Sequence, residues 1–92
     1  MGENFGVEDR YYDPMIYDVM RELANQVVAG YLAWEDEATT AEEKAYWQEE
    51  RFRTRLDVRA VKVDSLREVQ AMTAKLRDEL AAMPEHAPTL VR

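Results

Sequence analysis

The sequence has no cysteine, one histidine, one serine, three glycines and three prolines in 92 residues. Without cysteine there is no disulfide scaffold and no thiolate metal site. The lone imidazole, His86, sits between Pro84 and Pro88 and reads as a solvated tail residue. One imidazole is too few for a zinc or redox-metal centre, and the Glu-x-x-His pairs of a carboxylate-bridged di-metal bundle are absent. Ser65 has no histidine near it in sequence to act as a base, and no glycine-rich phosphate loop exists. The acidic groups Glu35-Asp36-Glu37, Glu42-Glu43 and Glu49-Glu50 lack the alternating spacing and central glycine of a calcium loop. No catalytic residue, metal site or cofactor is expected, and the chain reads as a non-enzyme. Nor does any apolar run approach the roughly 18 residues of a membrane span. The N-terminal residues lack a signal-peptide core, and Gly6 stands where a myristoylation signal wants Ser or Thr. The expectation is a cytoplasmic protein without a membrane partner.

What is present is enough to fold. Hydrophobic residues make up 47% of the chain and charged residues 34%, an apolar share too high for disorder. The formal net charge of −7 is unevenly spread. Residues 1–50 carry three basic and thirteen acidic residues, whereas residues 51–92 carry nine basic and six acidic. Halves of opposite sign attract, within a chain or between chains, while the overall sign repels nucleic acid at long range. Arginine outnumbers lysine nine to three, a compositional hint of a bacterial or phage source.

Glycine and proline are scarce and strand signals are weak, so long helices are the better reading. A first helix starts at Asp13-Pro14, with a carboxylate N-cap followed by proline at N1, where no donor is needed. Residues 1–12 precede it as an N-terminal arm. Ile16, Met20, Leu23, Val27, Gly30 and Trp34 recur at spacings of 4, 3, 4, 3 and 4. This heptad seam has Gly30 as a point of close approach. The helix should run over 14–37, with acidic residues 35–37 at its negative end and a Lys or Arg from elsewhere neutralising them. A turn over 38–40 leads into the capping box Thr40-Ala41-Glu42-Glu43. Trp34 and Trp47 flank this turn and are placed to clamp it.

From there the reading is a second helix over 41–83 with two apolar stripes. At about 100° per residue, Ala45, Phe52, Leu56, Ala60 and Val63 share one face. Trp47, Val58, Val61, Ser65, Val69, Met72, Leu76, Leu80 and Met83 fall nearly opposite. One neighbouring helix can cover only one stripe. The first helix is also too short to pair with residues 66–83, which leaves a long apolar row uncovered. Soluble monomers rarely expose such a row. The expected fold is therefore all-α: an antiparallel helical hairpin with a long second helix, assembled as a homodimeric bundle. Its interface would be Val58, Val61, Val69, Met72, Leu76, Leu80 and Met83. An alternative is a monomeric three-helix bundle with a break near 57–65, since Ser65-Leu66-Arg67-Glu68 is also a capping-box pattern and Val58–Val63 is rich in β-branched residues. The tail, 84–92, should be extended and mobile unless Leu90 and Val91 dock.

Two features point to a partner. Arg51, Arg55, Arg59 and Lys62 form a basic ridge with the one-face spacing that a helix uses to track phosphates. The plainer reading is that it meets acids of the first helix or a loop, within one subunit or across a dimer, and orients assembly; other acidic partners are a further reading. Tyr11, Tyr12 and Tyr17 fit no core drawn from the pattern and are candidates for a partner-facing surface. The resulting functional expectation is a non-catalytic protein-interaction module: a small acidic adaptor, regulator or inhibitor of the antitoxin, immunity-protein or phage-inhibitor type. A nucleic-acid-binding regulator using the basic ridge is the alternative.

Overall fold

The computed structural model describes residues 12–90. They form three helices: α1 (Pro14–Glu37), α2 (Ala41–Arg59) and α3 (Leu66–Ala82). There is no strand among the described residues.

Helix α1 begins and ends where its local chemistry dictates. The Asp13 carboxylate accepts from the Met15 N–H at 3.0 Å, and Pro14 occupies the first turn. Ala38 leaves the helix in extended conformation. The turn is closed by Thr40, whose Oγ1 accepts from the Glu43 N–H at 3.1 Å. Glu43 Oε1 reaches back to the Thr39 N–H at 3.4 Å. Two orphan donors are thus satisfied at the start of α2.

Residue numbers rise along α2 as they fall along α1. Trp47 meets Trp34 at 4.8 Å between ring centroids, while Arg55 and Val58 share a groove with Tyr17 and Arg21. On α3 the numbers rise with those of α1. Gln70 and Thr73 lie beside Ile16 and Val19, the Tyr31 hydroxyl donates to Glu79 Oε2 at 2.8 Å, and Met83 covers Gly30. Helix α2 is therefore antiparallel to α1, and α3 is parallel to it. The core lies along α1: Met20, Ala24, Val27, Tyr31 and Trp34 pack with Trp47 of α2 and with Val69 and Leu76 of α3. Met20, Val27, Val69 and Leu76 are fully buried.

The long second helix is corrected. It ends at Arg59, and residues 60–65 form a turn before α3 starts at Leu66. Ser65 is a true N-cap, its Oγ accepting from the Glu68 N–H at 3.2 Å. The Glu68 carboxylate accepts in turn from the Lys62 N–H at 3.1 Å. The break frees the apolar row of residues 66–83 to fold back onto α1. Burying a Leu or Val side chain contributes about 1.5–3 kcal/mol, so the several apolar side chains of the row together outweigh the few backbone hydrogen bonds lost in the turn, at about 0.5–1.5 kcal/mol each.

The expected oligomer interface is corrected for the same reason. Val69 and Leu76 are buried in their own chain's core, with Val58, Val61, Met72, Leu80 and Met83 packed against it. This row therefore needs no second copy to cover it. The tail docks as well. Ala87 and Leu90 pack on the core, the Trp34 indole N–H donates to the Glu85 carbonyl at 3.4 Å, and His86 Nδ1 lies 3.1 Å from Glu37 Oε2.

Candidate functional site: an arginine-lined groove

Helices α1 and α2 do not close completely along one flank. Between them runs an open groove of about 250 Å³. Helix α1 contributes Tyr17, Arg21, Ala24, Asn25 and Val28, and α2 contributes Arg55, Val58 and Arg59. Ala24 and Val28 are buried and form the floor, while Arg21, Asn25, Arg55 and Arg59 are exposed and form the rim. The local sequence explains the arrangement. Tyr17, Arg21, Asn25 and Val28 follow one another at helical spacings of 4, 4 and 3 along the edge of the α1 seam, so they project on one side. Arg55 and Arg59 are four residues apart and meet that side from α2.

Charge is the groove's main chemical feature. No described carboxylate is in salt-bridge contact with Arg21, Arg55 or Arg59. Three guanidiniums in one concave strip offer many fixed donors and no acceptor, the arrangement that suits carboxylates or phosphates.

Other residues expected at a partner surface have different positions. Arg51 is committed within the fold: its guanidinium contacts Glu35 Oε1 through Nη2 at 3.0 Å and Nε at 3.1 Å, and stacks 4.9 Å from the Phe52 ring centre. Lys44 Nζ donates to the Glu35 carbonyl at 3.3 Å. Together these supply the neutralisation that the acidic end of α1 requires. Lys62 lies in the α2–α3 turn, where its backbone N–H rather than its ammonium makes the recorded contact. Tyr12 pins the start of α1 to that turn, its hydroxyl donating to the Val63 carbonyl at 2.5 Å. Tyr11 lies outside the described residues.

The structure thus brings together Tyr17, Arg55 and Arg59 from the sequence-derived set and adds Arg21 and Asn25. These two were visible as polar residues flanking the α1 seam. What could not be read without the helix packing was which flank α2 would face.

Elsewhere, the Tyr31 hydroxyl and the aromatic cluster serve the fold, and the buried Trp47 indole N–H has no hydrogen-bond partner among the described residues. The Tyr31 hydroxyl is shifted upward in pKa, mainly by burial and then by its hydrogen bond to Glu79. Tyr31, Trp34, Trp47 and Tyr46 form a contiguous ring cluster at the α1–α2 end. No group of three His, Cys, Asp or Glu side chains placed to hold a metal occurs among the described residues. No described helix is long and apolar enough to cross a membrane.

No family model, curated protein or solved structure matches the chain.

Proposed function

We propose that the chain is a non-catalytic interaction module, an adaptor, regulator or inhibitor, whose arginine groove takes an acidic segment of a protein partner. The observation that carries this reading is the convergence of Arg21, Arg55 and Arg59 on one groove without a described carboxylate partner. In a chain of net charge −7, three such arginines run against the prevailing sign. Tyr17 and Asn25 add one amphipathic ring and one amide beside them, the residue types that favour protein recognition.

A nucleic-acid partner is the weaker reading. The ridge that would track a phosphate backbone is shortened, because Arg51 is held by Glu35. The surrounding negative charge opposes a polyanion at long range. The lack of cysteine fits a reducing, cytoplasmic setting without requiring it.

The test is fluorescence anisotropy with two labelled probes at low salt: a helical peptide carrying Glu at every fourth position, and a single-stranded oligonucleotide. The peptide should bind, and Arg21→Ala with Arg55→Ala should weaken it by about tenfold or more. Peptide binding that both substitutions leave unchanged would place recognition elsewhere. Oligonucleotide binding that falls steeply with salt, with none to the peptide, would favour the phosphate reading.

A further inference from the structure

No other helix covers the second apolar stripe of α2, where the Arg51 guanidinium alone lies against the Phe52 ring. Phe52 is 49% exposed and Leu56 61% exposed, on the side of α2 turned away from α1. Ala45 is exposed on the same line. Between and beyond these residues lie two charged ones, Glu49 and Arg59, both exposed and neither in a hydrogen bond or ion pair with a described residue. In order, Ala45, Glu49, Phe52, Leu56 and Arg59 are spaced 4, 3, 4 and 3 residues apart. That is the spacing of a coiled-coil seam.

We infer that this face is a homodimer interface in which α2 packs antiparallel against α2 of a second copy. Charge complementarity selects the occupant. The seam is acidic toward its N-terminal end at Glu49 and basic toward its C-terminal end at Arg59, so it complements itself only when reversed. Seam positions alternate between two kinds, and in an antiparallel pair each kind meets the other. In one register Glu49 lies opposite Arg59 of the second copy, and Phe52 lies opposite Leu56 of the second copy. The twofold axis repeats both contacts, as an isologous interface requires. Sliding one helix by a heptad in either direction sets Glu49 against Phe52, or Arg59 against Leu56. Each slip leaves a charge desolvated without a partner, a cost that fixes the register. A parallel pair would set Glu49 against Glu49 and Arg59 against Arg59, which like-charge repulsion disfavours.

This interface is distinct from the corrected one. It uses the stripe that α1 leaves uncovered, while residues 66–83 stay in the core. Glu49, Phe52 and Leu56 lie outside the groove lining, and only Arg59 belongs to both surfaces.

Sedimentation of the full chain over a micromolar to millimolar range tests the proposal. The wild type should approach twice 10.8 kDa. Glu49→Arg and Arg59→Glu should each weaken the dimer by roughly a hundredfold, since each converts both cross-pairs to like charges. The double variant, Glu49→Arg with Arg59→Glu, should restore it. Both positions are exposed, so circular dichroism should report a folded chain throughout. A wild type that stays at 10.8 kDa across the range leaves this face to a different kind of partner and overturns the proposal. So does a dimer indifferent to both single reversals, or one that the double reversal fails to recover.

Discussion

Thr54 is buried in the middle of α2, facing the core, yet it carries a hydroxyl. That hydroxyl donates to the Glu50 carbonyl of its own helix at 3.0 Å. The carbonyl is already engaged by the helical N–H four residues on, so the side-chain bond is a second use of one acceptor. Replacing Thr54 by Val therefore leaves no orphaned partner and preserves the shape of the site. Thr54→Val should change stability by less than about 0.5 kcal/mol, or raise it, whereas Thr54→Asp should cost about 3 kcal/mol or more by burying a carboxylate. Urea denaturation followed by circular dichroism distinguishes these outcomes. A large loss in the Val variant would mean that the hydroxyl has another partner. At Gly30 a Cβ would stand 2.5 Å from Met83 Cε, the free end of a flexible side chain, so an alanine there would oblige the Met83 side chain to shift.

At the scale of elements, the two Ser/Thr caps divide what was legible in the sequence from what was not. Helix α1 could be placed over 14–37 because Asp13-Pro14, the heptad seam and the turn at Thr40 all mark the same boundaries. The end of α2 carries no such concentrated mark. No glycine or proline stands between residues 57 and 65, and no residue there adopts positive φ. The stop comes instead from several weak causes acting together: β-branched Val58, Val61 and Val63, the Ser65 cap, and the burial that α3 gains on α1. Of these only the last is large, and it is tertiary, so local pattern understates it. The site was half legible for a related reason. Arg55 and Arg59 stand out as a ridge on one helix, but Arg21 joins them only through the α1–α2 packing. Two substitutions should separate the local and tertiary contributions. Ser65→Ala removes the cap and should cost about 1 kcal/mol. Leu76→Ala empties a fully buried site between α3 and α1 and should cost about 2–5 kcal/mol. Equal costs in equilibrium denaturation would contradict the view that packing, rather than capping, sets the break.

Across the whole molecule, cationic groups from α2 and the tail gather at the acidic end of α1. Glu35 takes Arg51, the Glu35 carbonyl takes Lys44, and Glu37 takes His86 from the tail. The last contact makes tail docking dependent on pH. Hydrogen bonding to Glu37, then the Glu37 and Glu85 charges, hold the His86 imidazole above its ordinary pKa of 6.5. A histidine whose folded pKa is raised stabilises the docked form fully below its unfolded value, and that contribution is lost as pH rises through the folded value. The tail should therefore be held more firmly near pH 6 than near pH 8, within roughly that window. Since Trp34 donates to the Glu85 carbonyl beside His86, Trp34 fluorescence reports the release. In the wild type, Trp34 fluorescence should change between the two pH values as the tail is released. Glu37→Gln should flatten the profile, because the neutral amide removes the charge that raises the imidazole pKa. His86→Phe should flatten it too, by removing the titrating group. A wild-type profile already as flat as these variants would show that Met83, Ala87 and Leu90 hold the tail by packing alone, with the ion pair contributing nothing to it.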